Sequence, residues 1–133
     1  MNCPCQSGAL YADCCERFVS GKAKAPTAEA LMRSRFSAYV VGAIDYLVKT
    51  TLPASRTAHL RAGYQSTHDE IEWLGLEVLS TWRGVDSDKV GKVEFRATYL
   101  QQGQAAEHHE LSRFRKRGGE WFYVDGEVTD RVK

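Results

Sequence analysis

Four cysteines, Cys3, Cys5, Cys14 and Cys15, fall within the first fifteen residues of a 133-residue chain. Three chemistries fit such a set. A disulfide framework needs an oxidising compartment. The N-terminus MNCPCQSG lacks the basic-then-apolar pattern of an export signal, and thiols this close in sequence cannot staple distant segments. A Cys3–Cys5 or Cys14–Cys15 pair could exchange thiols if its pKa were lowered. Four thiolates converging on one point would hold a tetrahedral zinc ion. The pattern favours the metal. Pro4 bends the first pair, Ser7-Gly8 makes a turn with Ser7 placed to cap a short helix, and Ala9 to Asp13 forms about one helical turn that returns Cys14 and Cys15 to the first pair. Such a loop buries no core of its own, so the metal would supply its folding energy. A closed four-thiolate set leaves no open position for water, so the expected cofactor is one structural zinc ion.

A second group of residues could work in a pocket. Arg35 falls on the apolar arc of a helix with Ala28, Met32, Phe36 and Tyr39, while Arg33 sits at its edge and Ser37 faces away. A buried arginine must be paired or reach water; Glu94, Glu110 or Asp125 are its expected partners. It would serve either as an anion-binding floor or as a structural ion pair. Strand alternation sends His108 and Glu110 to one face and His109 to the other. His108 with Glu110, or Asp125 alone, could act in general acid/base chemistry; solvent-facing polar residues are the plainer reading. His59 and His68 show no ligand spacing.

The elements that must position these groups read as α+β. A linker over 16–26 precedes a helix opened by Thr27 and closed by Gly42. A second helix runs from about 43 to 51 and stops at Pro53; a third short one lies near 57–63 or 66–72. From Trp73 the period becomes two. Leu74, Leu76 and Val78 share a face, and so do Val93, Phe95, Ala97 and Tyr99. Leu111 and Phe114 have opposite parity, which predicts a bulge within 107–117. Gly118-Gly119 makes a hairpin turn before a last strand over 121–128. Three helices packed on a curved four-stranded antiparallel sheet follow from this order. Trp73, Trp82 and Trp121 are expected in the core.

Composition bounds the function. Apolar residues make up 43% and charged residues 26%, enough apolar surface to exclude disorder over most of the chain. The net charge of +1 disfavours a general nucleic-acid binder, even with the basic run Arg113, Arg115, Lys116 and Arg117 beside Phe114 and Trp121. No apolar run reaches the roughly 20 residues of a membrane span.

The loop C-P-C-x-S-G-x-x-Y-x-x-C-C resembles the SEC-C motif, a zinc-binding element named after the C-terminus of the SecA translocase ATPase. Cys3, Cys5, Cys14 and Cys15 fill its ligand positions, and Ser7, Gly8 and Tyr11 match. Gln6 replaces the usual glycine, Ala9-Leu10 the usual basic pair, and Glu16 a frequent glycine. The segments 28–39, 93–99, 110–114 and 119–126 resemble the YchJ-like family. That resemblance implies a SEC-C knuckle over 1–20 joined to a nuclear-transport-factor-2-like cone over 27–133. Many members carry a second SEC-C copy at the C-terminus, which this chain, ending at Lys133, is expected to lack. The expectation is a cytoplasmic zinc-binding protein: an interaction or adaptor module contacting a protein partner through the knuckle, or a small-ligand-binding cone holding an anion through Arg35. The alternative is an enzyme. The pocket candidates are Arg35, Tyr39, His108, Glu110 and Asp125.

Overall fold

Thr27 opens the main helix, as its position predicts: its hydroxyl accepts a hydrogen bond from Ala30 N at 3.0 Å. Gly42 closes it in the left-handed region at φ 80°. In the computed structural model, which describes residues 1–128, this helix is α2, Ala28–Val41. The expected linker instead starts with a one-turn helix, α1, Glu16–Val19. It is stabilised as a continuation of the cysteine loop, with Phe18 N and Val19 N both bonded to Cys15 O. The second predicted helix is α3, Ile44–Lys49. The two alternatives for the third merge into one eleven-residue helix, α4, Leu60–Glu70. The described residues therefore hold four α-helices rather than three.

The sheet is antiparallel in the order β1-β2-β3-β4, with β1 Glu72–Arg83, β2 Val90–Gln101, β3 Gln104–Arg117 and β4 Glu120–Val128. Val93, Phe95 and Ala97 are buried on its inner face. The expected bulge is on the other strand. β3 keeps unbroken register against β2, and its inward positions are the even ones from His108 through Phe114; Leu111 lies on the outer face. The extra residue is Val124 of β4, between the pairs Arg113–Asp125 and Phe114–Tyr123. β1 carries two further irregularities, at Leu74 and Leu79. The first moves Leu74 off the face it was expected to share with Leu76: Leu74 is 48% exposed and Trp73 points inward. Bulges at both edges bend the strands, which curls the sheet around α2.

Both edges are partly covered. Residues 50–52 pair with β4 through Leu52 N–Tyr123 O and Tyr123 N–Thr50 O, each 2.8 Å. The Gln6 side chain bonds the outer edge of β1 at Leu74 O and Leu76 N. Trp82 departs from its expected core position. It is 49% exposed, at the sheet margin, with Arg83 and Lys92 against its ring. No helix among the described residues is long and apolar enough to cross a membrane.

Candidate functional site

The cysteine loop closes on itself before it meets the rest of the chain. Cys3 N bonds Ala9 O, Tyr11 N bonds Met1 O, and Cys14 N bonds Tyr11 O across a short 3-10 turn, Tyr11–Asp13. This turn takes no side-chain cap; Ser7 Oγ instead accepts from Ala9 N at 3.2 Å and approaches Cys14 Sγ at 3.2 Å. All four Sγ atoms lie within 4.8 Å of one another. Cys5–Cys14 is 3.7 Å and Cys14–Cys15 is 3.9 Å. A disulfide requires about 2.05 Å between sulfurs, and the four cysteines are unbridged. Thiolates about 2.3 Å from a central ion form a tetrahedron with edges of about 3.8 Å. The donor set can therefore hold one metal ion. The thiols of Cys5 and Cys15 are shifted in opposite directions. The hydrogen bond from Cys15 is the main cause that lowers Cys5 to about 4, while the same contact and burial push Cys15 up.

The loop is docked, not appended. Cys3 Sγ meets Ser37 Oγ at 3.5 Å, Arg33 Nη1 donates to Cys5 O at 2.9 Å, and Phe18 is buried. Ser37 does face away from the cone, yet it is fully buried because the cysteine loop covers that side of α2.

The opposite side of α2 faces a cavity of about 350 Å³ between helices and sheet. Arg35, Tyr39, His108 and Glu110 all line it; Asp125 does not. Asp125 lies at the surface in a two-point bond with Arg113, at 2.7 and 2.8 Å, and that arginine holds its carboxyl below the usual range. Glu94 is likewise taken, by His109 at 2.7 Å. Arg35 is thus without a carboxylate partner among the described residues. Instead Nη1 donates to Leu47 O and Thr50 Oγ1, and Nη2 to Tyr64 OH, at 2.9, 2.7 and 2.9 Å. The guanidinium lies 4.5 Å from the centre of the Tyr123 ring. Its Nε–H and second Nη2–H bond to none of the described residues.

Glu110 is the centre of the other polar group. Its Oε2 accepts from Ser112 Oγ at 2.6 Å and Tyr123 OH at 3.0 Å, and its Oε1 meets His108 Nε2 at 2.8 Å. Burial alone would raise this carboxyl, but the donors, His108 foremost, outweigh it and hold it below its ordinary value. Gly126, on β4, makes room: a Cβ there would overlap the Glu110 carboxylate. Tyr39 and Tyr123 are both raised, burial being the main cause. The remaining wall is aromatic, including Phe36, Trp73 and Tyr99. The indole N–H of Trp73 is the one side-chain polar atom among the described residues that is both shut off from solvent and left unbonded.

Sequence reasoning passed over Tyr64, Ser112 and Tyr123 in the cavity and Gly126 beside the Glu110 carboxylate, and it placed Arg33 and Ser37 on their helix without foreseeing their contacts to the cysteine loop. Tyr64 carries no periodic signal on a weakly apolar helix. Tyr123 reaches the cavity beside a bulge that alternation cannot place. His68 bonds the Tyr39 carbonyl through Nδ1 at 2.7 Å, and His59 is exposed.

Known proteins match both parts. A family model described as the SEC-C motif covers residues 2–17, and one described as the middle, NTF2-like domain of YchJ covers residues 27–126. A UPF0225 protein of Geobacter sulfurreducens is 42% identical over 124 residues, 93% of this chain and 77% of that one. The UPF0225 protein YchJ of Shigella dysenteriae is 43% identical over 125 residues, 93% of this chain and 81% of that one. The solution structure of a SEC-C motif protein from Rhodopseudomonas palustris superposes with a TM-score of 0.88 at 38% identity, covering 98% of this chain and all of that one. The crystal structure of a SEC-C motif protein from Psychrobacter arcticus gives 0.78 at 33% identity, covering 98% and 84%.

Proposed function

The chain belongs to the YchJ family, and on that premise we propose that it is a small-ligand-binding protein whose cone is braced by a structural zinc knuckle. The observation that carries the ligand reading is Arg35: a cation at 6% exposure, without a carboxylate partner among the described residues, beside a cavity of about 350 Å³. A buried charge left without a counter-ion costs several kcal/mol unless something compensates. Three oxygen acceptors and the Tyr123 face compensate in part, and two N–H groups remain for a ligand. The wall suits an aromatic or alicyclic body, so the ligand class is a small carboxylate or similar anion.

Zinc is supported by the sulfur spacing and by the softness of an all-thiolate set. Its role is structural, because all four positions around it are protein ligands. The knuckle buries Cys3, Cys5 and Phe18 against its own α2. That favours bracing over recruitment of a protein partner. Free thiols of this kind suit a reducing compartment, in keeping with a cytoplasmic setting.

Benzoate is the probe for the cavity. In an NMR titration, saturable shifts of Trp73, Tyr64 and Tyr123 resonances in the wild type, reduced at least about tenfold in affinity by Arg35→Met, support the reading. Absence of those shifts at millimolar benzoate, or equal binding by Arg35→Met, overturns it. Metal analysis tests the knuckle: about one zinc per chain is expected, and less than half an equivalent with four freely reactive thiols overturns it.

A further inference from the structure

Glu110 is built as an orienting group rather than as a base. One of its oxygens already accepts two hydroxyl donors, from Ser112 and Tyr123. Gly126 supplies the space in which the carboxylate sits. A carboxylate so saturated is a weak proton acceptor, since each donor stabilises its anionic form. Its other oxygen is left for His108 Nε2. An anionic carboxylate only accepts hydrogen bonds, so Nε2 must carry the imidazole proton. In neutral His108 the lone pair is then on Nδ1. That atom bonds to none of the described residues, and its ring lines the cavity between Trp73 and Phe95, at centroid distances of 6.4 and 5.9 Å. Arg35, with two N–H groups unbonded among the described residues, lines the same cavity. A base with a fixed tautomer and a cation therefore share one largely apolar chamber.

We propose that the cone cavity catalyses proton abstraction, with His108 Nδ1 as the general base, Glu110 as its positioning residue, and Arg35 as the group that takes up developing negative charge. The substrate class is a small, mostly apolar carbonyl compound with an acidic C–H next to the carbonyl. The proton passes from carbon to Nδ1, and the C–H electron pair moves through the new C=C bond onto the oxygen facing Arg35. Return of the proton to the same carbon gives hydrogen exchange or epimerisation, and its return to a conjugated carbon gives a double-bond isomerisation; neither needs an oxidant or a co-reactant. Buried Arg35 is well suited to this step, because a charge is worth more away from water and needs no reorganisation when the enolate forms. The proposal rests on the cavity admitting a small organic molecule, which the benzoate titration tests separately.

The activity probe is 5-nitrobenzisoxazole, a planar carbon acid that reports a general base in an apolar chamber without requiring the natural substrate. His108 Nδ1 would take the C3 proton, the C–H pair would form the nitrile, and the N–O bond would break to leave a coloured phenolate whose charge Arg35 can meet. Saturable turnover by the zinc-loaded protein is expected. His108→Gln keeps a donor for Glu110 and is expected to lose at least about 100-fold in kcat/KM, the usual lower bound for a positioned base. Glu110→Gln is expected to lower kcat with KM unchanged, a split that a merely structural role would not produce. Should His108→Gln fold poorly, His108→Asn serves in its place, with folding checked by its amide spectrum. Benzoate binding together with probe turnover no faster than that of the His108 variants overturns the catalytic proposal and leaves the ligand reading standing. Failure both to bind benzoate and to turn over the probe overturns both.

Discussion

Gln6 shows how one departure from a motif can be compensated in place. Its backbone is in the left-handed region, at φ 63°, where the resembling motif has glycine. A non-glycine residue there costs about 1 kcal/mol. The Gln6 side chain offsets this by accepting from Leu76 N at 3.3 Å and donating to Leu74 O at 3.4 Å, which ties the knuckle to the bulged edge of β1. Gln6→Ala keeps the strain and loses the tie, so it should lower stability by about 1 kcal/mol; Gln6→Gly should fall between Ala and the wild type. Urea melts of the three proteins check the order. Glu110 gives a pH prediction at the same scale. Its folded-state pKa is depressed, so its contribution is complete above the ordinary Glu range of about 4.3 and is lost as pH falls through that value towards the lower folded one. Glu110→Gln should therefore be less stable than the wild type at pH 7, with the gap closing below about pH 4. Melting temperatures measured from pH 7 to pH 3 test this, and a constant gap would contradict it.

At the scale of elements, α2 is covered on two sides. Residues 34 to 38 are all buried, because one side meets the cone and the other lies beneath the cysteine loop and α3. Ser34 bonds Tyr46 OH at 2.7 Å, and Ser37 meets Cys3. A helix buried this way needs small polar residues on its second side, which explains why its apolar stripe is narrow. α4 is the contrast. None of its residues is buried, and it is held over the cavity by Tyr64, bonded to Arg35 and Thr51, and by His68 on the Tyr39 carbonyl. Few apolar contacts mean a low local opening energy. Amide exchange in α4 should therefore outpace that in α2 by at least about tenfold, and Tyr64→Phe should widen the ratio. Equal protection of the two helices would show that α4 is part of the cooperative core.

For the whole molecule, the knuckle and the cavity share α2 as a common wall. A chelator that strips the proposed zinc should loosen residues 2–17 and reduce amide protection along α2, while the β2–β3 register stays protected. Hydrogen exchange with and without chelator would show this; loss of protection throughout the sheet would mean that the cone does not stand without the knuckle. The sequence by itself determined the cysteine quartet, the bounds of α2 and the α+β order, because these rest on local rules: ligand spacing, a threonine cap, a glycine stop and strict alternation. It also brought His108 and Glu110 to one face by parity alone. Tertiary structure decided what parity cannot reach. The bulges at Leu74, Leu79 and Val124 shift the phase of the edge strands, so Leu74 turns out to solvent and Tyr123 turns in to the Glu110 carboxylate. Asp125 pairs with Arg113, Glu94 with His109, and Glu110 with His108, Ser112 and Tyr123, which leaves Arg35 without a carboxylate partner among the described residues. A charge's partners depend on which groups the curved sheet brings within about 4 Å, and that distance is set by the packing of the whole chain.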